Sequence, residues 1–203
     1  MKVHLSYFQL SEAILRYVDP ALREGDLETC IEWTNRMLGM IPKSPYHIVE
    51  DLEFSTSIDA IAKKFDEWVI EQEADSPFGI AYTETNAFGS NPDEWHFHWF
   101  AYASAEEDDF TDMDDSWISK EHERVVLTGM ESLQIVFQRA FEDEEWFARD
   151  ICECQVLFKF MKLMQDVSMK MTQFRHPLVV SSHDWGAALR IDPTTASTTR
   201  RHT

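Results

Sequence analysis

The chain has 203 residues, with 18 Lys or Arg against 37 Asp or Glu, a formal net charge of −19 with His neutral. That length fits one domain whose core takes about 70% of the unfolded surface out of water, and an apolar share of 44% with 7 Trp, 14 Phe and 5 Tyr excludes a disordered chain. Such acidity excludes binding driven by phosphate or anionic lipid, so neither nucleic acid nor membrane is expected; a basic protein or a cation is the partner it attracts.

In chain order, residues 3–8 alternate loosely and predict a short strand; Ser11 then offers a cap to a helix carrying Ile14, Leu15 and Val18, which Pro20 is expected to end or bend. A second helix starts at the cap Asp26, aligns Leu27, Cys30, Ile31, Thr34, Met37 and Leu38, and stops at Gly39 and Pro42. Residues 40–54 read as a connection. A third helix, from residues 55–57 to about residue 73, sets Ile58, Ile61, Ala62, Phe65, Trp68 and Val69 on one face.

Pro77 and Gly79 mark a change of period. Residues 80–86 alternate, a turn-rich segment containing Gly89, Asn91 and Pro92 follows, and the aromatic run Trp95-His96-Phe97-His98-Trp99-Phe100-Ala101-Tyr102 completes a predicted hairpin. In that second strand Trp95, Phe97 and Trp99 share one face and His96, His98, Phe100 and Tyr102 the other, so both faces call for cover and the strand is expected to be central. A loop of that length leaves open whether Glu84 faces His96 or His98.

Residues 106–115 hold Glu106, Glu107, Asp108, Asp109, Asp112, Asp114 and Asp115 without a basic partner, which predicts a solvated loop. Val125, Val126 and Leu127 favour a short strand. Leu133, Val136, Phe137, Ala140 and Phe141 return to helical spacing, and a long helix from about residue 144 to 171 carries Phe147, Ile151, Cys154, Phe158, Met161, Met164 and Val167 with charges opposite. Leu178-Val179-Val180 predicts a last strand, and from Arg190 onward the composition is that of a tail. The expected architecture is α+β: four to five helices packed on a small, mainly antiparallel sheet, one globular domain over residues 1–189 and a disordered Thr/Arg-rich tail over 190–203.

Few motifs carry chemistry. His96-x-His98 places two imidazoles on one side of a strand, a spacing that chelates a transition metal such as Zn once Glu84, His122, His183 or Asp184 completes the set; without a metal, His98 and Glu84 suit an acid/base pair. That is the basis of an alternative reading as a metal-dependent hydrolase with Glu84 or Glu94 as base, or as a small-ligand module over the histidine face. Asp112, Asp114, Ser116, Ile118 and Glu123 match calcium-loop positions, but Trp117 stands where that loop needs glycine. Cys152 and Cys154 diverge on a helix, Ser181-Ser182-His183-Asp184 lacks a nucleophile elbow, and no phosphate-binding loop occurs. Three cysteines make no disulfide framework, and neither a leader-like start nor 18 uninterrupted apolar residues is found, so a cytoplasmic protein is expected. The leading expectation is a non-enzymatic, cofactor-free binding protein that masks a basic protein partner in the manner of an immunity or antitoxin-type inhibitor. Its binding residues are Glu106, Glu107, Asp108, Asp109, Phe110, Asp112, Asp114, Asp115 and Trp117.

Overall fold

The computed structural model describes residues 7–103, 117–119, 124–140, 146–183 and 185–193. Helix α1 (Tyr7–Arg23) buries Ile14, Val18 and Leu22, four residues apart on one stripe. Tyr7 and Phe8 are helical rather than extended, and Pro20 neither ends nor interrupts the helix. Proline costs a helix its own N–H bond, but here it sits near the last turn, which closes through Gly25 N–H to Leu22 O at 3.0 Å and Asp26 N–H to Ala21 O at 2.9 Å, with Gly25 at φ 71°. Asp26 then caps α2 (Leu27–Gly39) by accepting the Thr29 N–H and hydroxyl. These bonds hold its carboxyl below the usual carboxylate range.

The connection after α2 contains a 3₁₀ helix, Pro45–Asp51, that buries Tyr46 and Val49, structure that the two prolines of this stretch hid. Helix α3 (Ile58–Asp75), capped by Ser57, buries Ile61, Ala62, Phe65, Trp68 and Val69, the predicted face. Strands β1 (Ile80–Thr85), β2 (His96–Tyr102), β3 (Val125–Val126), β4 (Leu178–Ser182) and β5 (Trp185–Ile191) form one sheet in the order β3-β2-β1-β4-β5; helices α4 (Glu131–Ala140) and α5 (Trp146–Ser168) lie between β3 and β4 in the chain. Only β1 and β4 run parallel; the other neighbours are antiparallel. The fold is α+β.

Helices cover one face of the sheet. The inner side of β2, with Phe97 and Trp99 and the preceding Trp95, is buried; Phe65 of α3 stacks on Trp99 at 5.8 Å and Trp68 lies 6.3 Å from it. Burying each of these rings contributes roughly 2–3 kcal/mol. Between the sheet and the α1–α2 pair runs α5, and it is buried along nearly its whole length, including Arg149, Asp150, Glu153 and Lys159. This corrects the expectation of a charged solvent face on that helix. Met161, Met164 and Met171 fill the core, as do Cys30, Cys152 and Cys154.

Two further expectations change at the C-terminal end. Leu178–Ser182 is not the last strand, because Trp185–Ile191 pairs beside it. Arg190 and Ile191, read from composition as tail, close that strand; the alternation Ala187, Leu189, Ile191 buries one side against the helices. Residues 194–203, and residues 104–116 with most of the acidic run, lie outside the described residues. Among the described residues no helix is long and apolar enough to cross a membrane.

Candidate functional site

The outer face of the sheet is where the sequence-predicted groups meet. Alternation along β2 turns His96, His98, Phe100 and Tyr102 to that side, and the ladder pairs Tyr82 with Phe100 and Ile80 with Tyr102. Glu84 pairs with His98, which resolves the register left open by the long hairpin loop. The rings follow one another along the strand: His96 to His98 at 5.2 Å, His98 to Phe100 at 6.3 Å, Phe100 to Tyr82 at 6.2 Å and Tyr82 to Tyr102 at 6.0 Å.

Carboxylates sit at two points of this face. Glu84 lies between the strands: the Tyr82 hydroxyl donates to its Oε1 over 3.5 Å, and His183 Nδ1 is 3.6 Å from the same oxygen. Burial first, and then the Glu84 charge, push the Tyr82 phenol above its ordinary value, so it stays a neutral donor. At the other end, Arg124 Nη2 is 3.1 Å from Glu94 Oε1, an ion pair without hydrogen-bond alignment, and His96 Nδ1 stands 4.0 Å from that oxygen. Asn86 fixes this end by donating to the Glu94 carbonyl and accepting the His96 N–H.

The structure thus brings His96, His98 and Glu84 onto one face and ties His183 to Glu84, while His122 and Asp184 lie outside the described residues. Among the described residues no group of three or more His, Cys, Asp or Glu is placed to hold a metal ion. Two imidazoles and a carboxylate on neighbouring strands can donate and accept hydrogen bonds to a bound molecule. The cysteines are not part of any such site: burial pushes the Cys152 and Cys154 thiols well above the ordinary range and that of Cys30 up to about 11, so all three stay protonated.

Glu106, Glu107, Asp108, Asp109, Phe110, Asp112, Asp114 and Asp115 lie outside the described residues, but both flanks of their segment are in view. On the near side β2 ends at Tyr102. On the far side Ile118 N–H donates to Ala101 O at 2.7 Å, and the Trp117 ring rests 5.2 Å from Phe100 while 44% exposed. The described residues on both sides of the segment, Tyr102 and Trp117–Ile118, are therefore held at β2.

A second polar cluster went unread in the sequence. On α5, Glu153 accepts the Gly89 N–H at 2.8 Å and Arg149 donates to the Gly89 and Phe137 carbonyls, with its guanidinium 5.0 Å over the Phe137 ring. A side chain at Gly89 would put Cβ 2.5 Å from the Glu153 carboxylate, so any residue but glycine forces that carboxylate off the loop. Asp150 is only 2% exposed, and burial, then the neighbouring Glu153 charge, push its carboxyl up to about 7. Lys159 donates to the Leu52 carbonyl and to Glu53. The available signal was that Arg149 and Glu153 share one side of the helix whereas Lys162 and Asp166 take another, so no single polar face accounts for all the charges.

A groove of about 420 Å³ opens where α1, α5 and β5 end, bordered by Arg23, Gln165, Ser168 and Arg190. Four of its polar groups already have partners: Arg23 pairs with Asp19, Arg190 with Asp192, Gln165 donates to the Gly25 carbonyl and Ser168 to that of Gln165. Comparison with protein families, curated proteins and solved structures finds no match to this chain.

Proposed function

We propose that this chain is a non-enzymatic binding protein that masks a basic protein partner, in the manner of an immunity or antitoxin-type inhibitor. The contact surface is the acidic segment Glu106, Glu107, Asp108, Asp109, Phe110, Asp112, Asp114 and Asp115 together with Trp117. The observation that supports the reading is the seat of Trp117 on Phe100: it sets a 44%-exposed indole on β2 directly after a stretch of sequence with seven carboxylates and no Lys or Arg. Protein interfaces combine these two features, charge to steer the encounter and aromatic anchors to hold it. The net charge of −19 sets the sign of the partner.

The test is capture of a partner from the native host by the full chain at low salt, run beside a variant with Asp108, Asp109, Asp112 and Asp114 changed to Asn. A basic protein retained by the wild type and lost from the variant is the expected outcome. Equal retention by both, or retention of no basic protein, overturns the proposal.

A further inference from the structure

We infer that Asp150 is a proton-operated switch on the bond between Glu153 of α5 and Gly89 of the β1–β2 loop. Protonated, it leaves Glu153 holding the Gly89 N–H; ionised, it sets a like charge beside Glu153 and that hold gives way.

Three charged side chains share the first turns of α5, and all three are buried: Arg149, Asp150 and Glu153. Glu153 stands in the middle, four residues from Arg149 and three from Asp150, and helix positions so spaced are neighbours with Cβ atoms about 5–6 Å apart. Arg149 donates to the Gly89 and Phe137 carbonyls, and Glu153 accepts the Gly89 N–H at 2.8 Å. Asp150 accepts no hydrogen bond among the described residues.

Charge balance decides which form of Asp150 this arrangement tolerates. With its carboxyl protonated, the cluster holds one positive and one negative charge out of water. Ionised, it holds two negative charges and a single guanidinium, and the added carboxylate lacks a donor where water cannot supply one. Burial, then the Glu153 charge, push the Asp150 carboxyl up to about 7, so both forms are populated near neutral pH. The neighbouring titratable groups keep one state: the Cys154 thiol, one turn further along, and that of Cys30 on α2 stay protonated, and Lys159 reaches Leu52 and Glu53 instead. The closed arrangement therefore binds the proton more tightly than the open one, and it is lost as pH rises through neutrality. Phe88 stays buried, its carbonyl accepting the Trp95 indole N–H, so the change is local to Gly89.

The experiment is NMR on the isotope-labelled full chain from about pH 5.5 to about pH 8.5, following the Gly89 amide and its hydrogen-exchange protection corrected for base catalysis. The amide is expected to move in one step centred near pH 7, and its protection to fall by about tenfold or more. Asp150→Asn should hold the amide at its low-pH position throughout. Where that variant does not fold, the Asp150 carboxyl carbon is followed in the wild type, and its midpoint is expected to coincide with that of Gly89. A Gly89 amide without a step, a step that survives in Asp150→Asn, or two midpoints that differ would overturn the switch.

Discussion

The carboxylate of Glu153 accepts the backbone N–H of Gly89 at 2.8 Å, across 64 residues of sequence. Arg149, one helical turn earlier, donates to the carbonyl of the same glycine, so one residue of the β1–β2 loop is held on both sides of its Cα by α5. Gly89→Ala drives a methyl group into that clamp. The expected loss is about 2 kcal/mol of stability, since the Glu153 carboxylate is buried and must shift off the Gly89 N–H. A urea midpoint equal to that of the wild type would contradict the clamp.

Asp150 gives the fold a distinct pH dependence. Its carboxyl titrates near 7 when folded and near 3.9 when unfolded, so the folded state binds the proton more tightly. Stability is therefore highest when this group is protonated in both states, falls as pH rises from about 4 to about 7, and levels off above that. Asp150→Asn removes the titration. The variant should be more stable than the wild type at pH 8, by about 2–4 kcal/mol, and equal to it near pH 4. Chemical denaturation at the two pH values measures the difference; a variant less stable at pH 8 would refute the assignment.

Asp66 ties α3 to the turn that leads into β4. Its carboxylate accepts the Thr172 N–H at 2.8 Å, the Gln173 N–H at 2.9 Å and the Thr172 hydroxyl at 2.6 Å. Asp66→Ala removes three acceptor contacts at once. Because these bonds are reached by solvent, the expected cost is about 1–2 kcal/mol, and hydrogen exchange at Thr172 and Gln173 should accelerate. Unchanged protection at those amides would show that the turn holds itself.

Trp99 on the inner face packs against Phe65, Trp68 and Phe97. Trp99→Ala leaves a cavity that three large rings cannot fill, and should cost about 3–5 kcal/mol by thermal or chemical denaturation. The outer-face variant Phe100→Leu should cost less than half as much, because its ring is only partly buried and leucine keeps most of the apolar contact.

The elements that read well from the sequence are those with one strong period. The stripes of α2 and α3, and the aromatic alternation of β2, mark burial on one side, and burial is what they do. Strand β5 was hidden because Gly186, Ala187 and Ala188 have little strand preference of their own; its partner β4 supplies the ladder. The run of α1 through Pro20 depends on the turn at Gly25, a closure made after the proline. The buried charges of α5 depend on loops distant in sequence, Gly89 for Arg149 and Glu153, Leu52 for Lys159, which no local pattern announces. On the outer face the two histidines were visible as a pair, but the position of Glu84 opposite His98 needed the ladder, and the seat of Trp117 on Phe100 needed the chain's return to Ala101.

We propose that a basic partner is steered to the acidic segment and to Trp117 beside β2. The most direct measurement is the association rate of the captured partner as salt is raised from about 20 to about 500 mM, because steering between opposite charges fades once the Debye length falls below the charge separation. A rate that drops by about tenfold or more across this range is expected, with a flatter dependence when Asp108, Asp109, Asp112 and Asp114 are changed to Asn. An association rate indifferent to salt, and equal in wild type and variant, would contradict it.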